Sequence, residues 1–200
     1  MMNVNTAFPL LPTDQFIPGT NKSNCCKKKF ILFFADMLEK IKQFTDASAK
    51  ETASGTLNVL IVDDDEDDRM LFEEAIFKIE PLIQVDQARN GMELVEKMKD
   101  GSLPEIIFLD LNMPGKTGKE CLADIREHER WKKIPVVIYS TSANRNDIND
   151  TYKGGANLYM LKPSSFSELI RMIRKTFTYD WEHMQPLSQK DFVLTLTSAV

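Results

Sequence analysis

The chain has 200 residues, of which 42% are hydrophobic, and a formal net charge of -5. This content suits one domain with a substantial core. The acidic balance argues against a protein whose main partner is nucleic acid, since such proteins carry a basic patch. The three cysteines, Cys25, Cys26 and Cys121, match neither a disulfide framework nor a zinc-ligand spacing. They indicate a reducing compartment, so we expect a cytoplasmic protein.

Residues 1–56 are predicted to be an N-terminal extension and linker, disordered or partly helical. Residues 1–24 carry three of the nine prolines and no sustained pattern, which favours disorder. Residues 30–44 repeat apolar side chains at spacings of three and four, as an amphipathic helix does, and residues 46–55 are polar, as a linker is. No apolar run reaches the roughly 18 residues that span a bilayer, and the run after the lysine triplet is too short for a secretory signal. Translation from Met37 is an alternative hypothesis.

From residue 57 to residue 177 the sequence alternates strand patterns with helix patterns. Apolar runs predict strands at 58–62, 83–88, 104–110, 134–139 and 157–161. Helical periodicity predicts helices at 66–79, from 90 onward, and at 118–129, 143–153 and 164–177. The inner face of the first helix is predicted to carry Leu71, Phe72, Ala75, Ile76 and Ile79. Such alternation forms βαβ units, so we predict an α/β fold: a doubly wound, five-stranded parallel sheet of the flavodoxin-like order 2-1-3-4-5, with five helices.

Asp110 directly follows a strand that is predicted to be buried on both faces, and a Gly- and Pro-marked loop comes after it. A carboxylate at the carboxyl end of a parallel strand lies at the sheet edge where ligands bind. It is held by a rigid strand and is reachable from solvent, which suits a nucleophile. The alternative is that Asp110 only caps the loop behind it.

Asp63 and Asp64 end the first strand, next to the third strand in the predicted sheet. With Asp110 they form three converging carboxylates, and like charges about 4 Å apart repel by roughly 4 kcal/mol per pair at an effective dielectric of about 20. The cluster therefore either raises its own pKa values or binds a cation, and all-oxygen ligands favour Mg²⁺ or another hard divalent ion. Asp67 and Asp68, further along the acidic run, are interpreted as solvated charges at a helix N-terminus.

The same acidic run permits a second interpretation, a calcium loop. Its EF-hand positions one, three, five and twelve would be Asp63, Asp65, Asp67 and Glu74. However, an aspartate stands at position six, where glycine is needed for the bend, and the run is preceded by a strand where an EF-hand has a helix. The sequence therefore favours the cluster at the strand ends.

Two further strand ends bring polar side chains to the same edge. Ser140 ends the fourth strand, and Lys162 ends the fifth strand, just before a proline. Taken singly, the serine suits a helix cap and the lysine a surface turn. Together they place a hydroxyl donor and a cation around one carboxylate, as an in-line phosphoryl transfer requires.

Four motifs in this order resemble the receiver domains of two-component response regulators: VDDDEDD (62–68), IIFLDLNMPGKTG (106–118), PVVIYSTSA (135–143) and GGANLYMLKP (154–163). The resemblance covers residues 57–177 and is of the stand-alone type, because a tail of residues 178–200 is too short for a DNA-binding or enzymatic output domain. We expect the tail to pack on the last helix; the alternative is an edge segment offered to a partner.

The resemblance implies that Asp110 accepts a phosphoryl group from a phosphohistidine on a sensor histidine kinase or a histidine phosphotransfer protein. A Mg²⁺ ion or another divalent cation would be bound by Asp64, Asp110 and the backbone carbonyl of Asn112, with Asp63 acting through water. The protein would catalyse only its own aspartyl phosphorylation and dephosphorylation.

The resemblance also assigns the switch. Ser140 would turn to bond the phosphoryl oxygens, Lys162 would pair with them, and the Lys162–Pro163 peptide bond would be cis. Tyr159 stands at the place of the switch aromatic, although the sequence alone makes it a half-buried strand residue. The output face would be made by helix four, strand five and helix five. It would contact an unknown downstream protein or, on phosphorylation, a second copy of the chain.

Two other function classes remain. A phosphatase of the haloacid-dehalogenase type also uses an aspartyl nucleophile, but its general acid is an aspartate two residues later, where this chain has Asn112. A receiver that is no longer phosphorylated would serve as an interaction domain only.

Overall fold

In the computed structural model of the protein, residues 57–101, 103–181 and 186–196 are described. The strands are β1 Asn58–Val62, β2 Gln84–Ala88, β3 Ile106–Leu109, β4 Val136–Ser140, β5 Leu158–Leu161 and β6 Val193–Leu194. The helices are α1 Glu66–Ile79, α2 Gly91–Asp100, α3 Gly118–Glu127, α4 Arg145–Lys153 and α5 Phe166–Thr176. The predicted extension of residues 1–56, its amphipathic helix and the start at Met37 lie outside the described residues. No described helix has the length and apolar character needed to cross a membrane.

The strands form one parallel sheet of order β2-β1-β3-β4-β5-β6. The predicted α/β fold and the order of its first five strands are confirmed. The strand count was one too low, because β6, from the tail, pairs with β5 in the register Tyr159 to Val193. Two residues are too short a pattern to predict as a strand, and the pairing depends on a partner far away in the sequence.

Helices cover both faces of the sheet. Side chains from α2, α3 and α4 pack on one face, against residues such as Leu60, Ile107 and Ile138. Side chains from α1 and α5 pack on the other face, against residues such as Ile61 and Phe108. Successive residues of a strand point to opposite faces, so the fully apolar β3 is buried on both sides.

The first helix departs from the prediction at one position. Phe72, Ala75 and Ile76 are buried as predicted, but Leu71 is 44% exposed. Leu71 precedes Phe72 by one residue and so lies about 100° around the helix from it, which turns its side chain away from the sheet.

The helices nearest the predicted site begin with side-chain caps. Asp65 caps α1 by accepting hydrogen bonds from the amides of Asp67 and Asp68. Ser165 caps α5 by accepting a hydrogen bond from the amide of Glu168. These caps satisfy amides that lack partners within the helix, and they fix where each loop ends.

Candidate functional site

Backbone hydrogen bonds bring the carboxyl ends of the strands to one edge of the sheet. The amide of Asp110 donates to the carbonyl of Val62 over 2.9 Å, which fixes the end of β3 beside the end of β1. The amide of Lys162 donates to the carbonyl of Ser140 over 2.9 Å, which fixes the end of β5 beside the end of β4. The predicted site residues are therefore carried by neighbouring strands.

Three carboxylates meet at this edge. Asp63, Asp64 and Asp110 each offer an oxygen, and these oxygens lie within 4.8 Å of one another. Asp63 is 0% exposed and Asp110 is 4% exposed, whereas Asp64 is open to solvent. The Oδ1 atom of Asp110 is buried and has no hydrogen-bond partner among the described residues. A buried carboxylate oxygen without a donor is costly, so this donor set fits a hard cation such as Mg²⁺.

The surroundings of Asp63 shift its pKa and fix its position. Burial raises its pKa to about 6, although contact with Lys162 opposes the change. Its Oδ1 accepts a hydrogen bond from the amide of Asp65 over 3.1 Å, and its carbonyl accepts one from Arg69 over 2.8 Å. Asp63 is thus fixed in position by both its backbone and its side chain.

Lys162 supplies the cation of the site. Its Nζ lies 2.7 Å from Asp63 Oδ2 and 2.7 Å from Asp68 Oδ2. Burial disfavours its charge, but the two ion pairs outweigh burial and raise the pKa of Lys162 above its ordinary value. The ammonium therefore stays charged beside the acidic cluster.

Ser140 and Tyr159 are linked through Ser142. Ser140 is 0% exposed, and its Oγ accepts a long hydrogen bond of 3.4 Å from the amide of Ser142. The hydroxyl of Tyr159 donates to the carbonyl of Ser142 over 2.7 Å. Tyr159 is itself 0% exposed, so its interpretation as a half-buried residue was wrong. Phe192 from the tail packs on its ring, at 6.0 Å between centroids, and covers the side that would otherwise face solvent.

The loop after β3 is held close to the site by Gly118. Its amide donates to the carbonyl of Leu111 over 3.1 Å, and a Cβ at this position would lie 2.8 Å from Leu111 Cα. Asn112 is exposed within this loop, and its carbonyl remains a predicted metal ligand.

One expectation is corrected at the site, and one alternative is excluded. No peptide bond in the described residues is cis, so Lys162–Pro163 is trans, the isomer that X–Pro bonds favour intrinsically. The calcium loop, which the sequence disfavoured, is excluded by the structure. Asp67 and Glu74 lie in α1, and Asp65 caps this helix, so these residues cannot wrap around one ion.

One residue of the site was missed in the sequence. Asp68 was interpreted as a solvated helix charge, but it accepts a hydrogen bond of 2.7 Å from Lys162. Ninety-four positions separate the two residues, so no local pattern signals the pair. Only the arrangement of α1 beside the end of β5 brings them together.

A family model of the response regulator receiver domain matches residues 59–174. The chain belongs to this family. Receiver domains are phosphoacceptor signalling modules of two-component systems, and this receiver domain is therefore a signal transducer and not a conventional enzyme.

Relatives of known sequence support the same family. The receiver domain is 31% identical over 126 residues to the probable methanogenesis regulatory protein FilR2 of Methanothrix harundinacea, which covers 60% of this chain and 81% of that protein. It is 30% identical over 122 residues to the response regulator Rcp1 of a Synechocystis species, which covers 58% of this chain and 83% of Rcp1.

Solved structures agree with the fold. The phosphorylated cyanobacterial phytochrome response regulator RcpA matches with a TM-score of 0.58 at 33% identity, over 61% of this chain and 91% of RcpA. The Mn²⁺-bound form of Rcp1 matches with a TM-score of 0.57 at 27% identity, over 66% of this chain and 99% of that chain.

Proposed function

We propose that Asp110 is the phosphoacceptor of this receiver domain. The observation that carries the proposal is its buried Oδ1, which has no donor among the described residues and lies beside the carboxylates of Asp63 and Asp64. A carboxylate oxygen that accepts no hydrogen bond keeps its lone pairs free to attack phosphorus. That RcpA has been solved in phosphorylated form supports the same role for the receiver fold.

The proposed reaction transfers a phosphoryl group from a histidine nitrogen to Asp110. The P–N bond of a phosphohistidine breaks while a P–O bond to the Asp110 carboxylate forms, and the histidine nitrogen leaves with the electron pair. We propose that Asp63, Asp64, Asp110 and the carbonyl of Asn112 hold Mg²⁺, which neutralises charge on the phosphoryl oxygens when bound. The Mn²⁺-bound form of the relative Rcp1 supports a divalent ion at this acidic edge.

Lys162 and Ser140 are proposed to bind the oxygens of the phosphoryl group once it is on Asp110. The ammonium of Lys162 already lies at the acidic cluster and stays charged, so it can pair with phosphoryl oxygens. The Ser140 hydroxyl has one long hydrogen bond to replace. A shift of Ser140 would act on Tyr159 through Ser142, since both contact that residue.

The proposed partners are a sensor histidine kinase or a histidine phosphotransfer protein upstream, and an unknown protein downstream. We place this exchange in the cytoplasm, which suits the free thiol of Cys121. The proposed output face is made by α4, β5 and α5, with homodimerisation on phosphorylation as a further use. The tail contributes to this face, because Tyr152 of α4 donates to the carbonyl of Leu187 over 3.0 Å and Lys175 of α5 donates to that of Thr195 over 2.8 Å.

Acetyl phosphate with Mg²⁺ tests the proposed function without a kinase. We expect intact mass to show one added phosphoryl group on the wild-type chain, because the site itself catalyses the transfer, and no addition on Asp110→Asn. The matched control is Asp67→Asn, which removes an exposed carboxylate in the first turn of α1. It should be phosphorylated normally.

Three outcomes would contradict the proposal. Equal phosphorylation of Asp110→Asn and wild type would move the acceptor elsewhere, and no adduct on either would leave only an interaction domain. Rapid multiple turnover on phosphate esters would instead favour the dehalogenase-type phosphatase.

A further inference from the structure

Asp68 lies in the first turn of α1 and pairs with Lys162 at the acidic edge. The Nζ atom of Lys162 is 2.7 Å from Asp68 Oδ2 and 2.7 Å from Asp63 Oδ2. We infer that Asp68 is a positioning residue: it retains Lys162 in the unphosphorylated protein, and Lys162 exchanges Asp68 for the phosphoryl oxygens when Asp110 is modified. This inference rests on the proposed function of Asp110.

Lys162 is shared between the two carboxylates. Its Nζ donates a hydrogen bond to Asp68 Oδ2 and makes an equally short contact with Asp63 Oδ2, at 2.7 Å in each case. The distances alone therefore do not distinguish the two ion pairs.

The two ion pairs differ in solvent access. The Lys162 side chain is 10% exposed and that of Asp63 is 0% exposed, but that of Asp68 is 33% exposed. If Lys162 left Asp63, a buried carboxylate would lose its cation, which is costly. If it left Asp68, water could solvate the freed carboxylate, and the loss would be small. Asp68 is therefore the partner that Lys162 can give up.

Phosphorylation supplies the competing anion. A phosphoryl group carries more negative charge than one carboxylate and offers three acceptor oxygens. The phosphoryl group would be bonded to Asp110, whose negative charge already interacts with the Lys162 ammonium. Because the Asp68 bond must be broken first, Asp68 lowers the stability of the phosphorylated state relative to the unphosphorylated one.

Asp67 offers a matched comparison within the same turn. It is adjacent to Asp68, carries the same charge and is exposed, but it makes no ion pair with Lys162 among the described contacts. Neutralising Asp67 reproduces the general loss of negative charge near the site. Any larger effect at Asp68 then reports the specific contact.

The test measures the affinity of the full chain for beryllium fluoride, a phosphoryl mimic, at saturating Mg²⁺. Asp68→Asn is expected to bind about two- to fivefold more tightly than Asp67→Asn, the range of one partly exposed ion pair. Asp68→Glu keeps the carboxylate and is expected to bind as wild type does. Asp68→Ser is a second neutral variant.

Each outcome decides the inference. Affinity of Asp68→Asn and Asp68→Ser that is equal to or weaker than that of Asp67→Asn would overturn it, as would tight binding by Asp68→Glu. If the wild-type chain neither binds beryllium fluoride nor accepts a phosphoryl group, the proposed function of Asp110 fails instead. The two failures are thus distinguishable.

Discussion

The amide of Tyr159 donates a hydrogen bond of 2.8 Å to the carbonyl of Phe192, so the tail is bonded directly to the strand that leads to Lys162. The Phe192 ring packs on Tyr159 and also lies 5.2 Å from the ring of Tyr152 in α4. β5 is therefore not an edge strand in this receiver domain. Tyr159, the predicted switch aromatic, is therefore covered by the tail, which in turn contacts α4.

Replacing the Phe192 side chain with alanine tests whether the tail is part of the folded domain. Phe192 is 0% exposed, so Phe192→Ala is expected to lower the free energy of unfolding by about 3 kcal/mol, as Phe-to-Ala changes in cores do. Urea denaturation measures this loss, and hydrogen exchange at the Tyr159 amide should become faster. Phe77→Ala is the control, because Phe77 is 62% exposed and its loss should change stability by less than about 0.5 kcal/mol. Equal effects of the two changes would mean that the tail adds nothing to stability.

The sequence predicted the site better than it predicted the tail. Asp63, Asp64 and Asp110 follow two strands that are neighbours in a doubly wound sheet, so the topology alone brings them together. Lys162 is placed by the same rule, since it follows β5. These predictions needed only strand positions and order, which apolar runs report directly.

Features that depend on distant packing were not predictable. The Asp68–Lys162 pair forms because α1 lies beside the end of β5. Tyr159 is fully buried because the tail packs along the edge of β5. Leu71 is a smaller example. Helical periodicity predicts which face of α1 is buried, but it does not decide whether a residue at the margin of that face is buried or exposed. The local sequence pattern predicts where each strand ends. Which side chains contact each other there is decided by tertiary packing, which the pattern does not report.

Binding of Mg²⁺ is expected to weaken as the pH falls below about 6. Burial raises the pKa of Asp63 to about 6, so the carboxyl is protonated below that value and the metal must displace the proton. The affinity should therefore fall by up to tenfold per pH unit below about 6 and change little above it through this group. Calorimetry in two buffers of different ionisation enthalpy counts the released protons. Asp63→Asn should lose this dependence and Asp67→Asn should keep it; an unchanged profile in Asp63→Asn would assign the proton elsewhere.

Gly118→Ala is expected to disturb the loop that follows the phosphoacceptor. An added Cβ would lie 2.8 Å from Leu111 Cα and closer still to the carbonyl oxygen of Asp110, and both are backbone atoms that cannot rotate away. We expect a loss of stability of about 1–3 kcal/mol, as overpacking causes, together with slower phosphorylation by acetyl phosphate. Thermal unfolding and intact mass measure the two effects. A variant as stable and as reactive as wild type would show that the loop can move without affecting Asp110.

Removal of the Lys162 charge is expected to act in opposite directions on the metal and on the phosphoryl group. The ammonium lies 2.7 Å from Asp63 Oδ2 and repels a cation held by the same carboxylate. Lys162→Ala should therefore bind Mg²⁺ at least about tenfold more tightly at about pH 8, where Asp63 is ionised in the wild type. The same variant should bind beryllium fluoride more weakly, because a cation that would pair with the anion is gone.

Lys78→Ala is the matched control, since Lys78 pairs with Glu74 on the exposed side of α1, with 53% of its side chain open to solvent. Calorimetric titration of both ligands into both variants gives the four affinities. If Lys162→Ala binds Mg²⁺ and beryllium fluoride with wild-type affinity, the Lys162 ammonium of the wild-type protein does not act on either ligand. Parallel weakening for both ligands would point to a general structural loss, which the unfolding transition of the same sample would reveal.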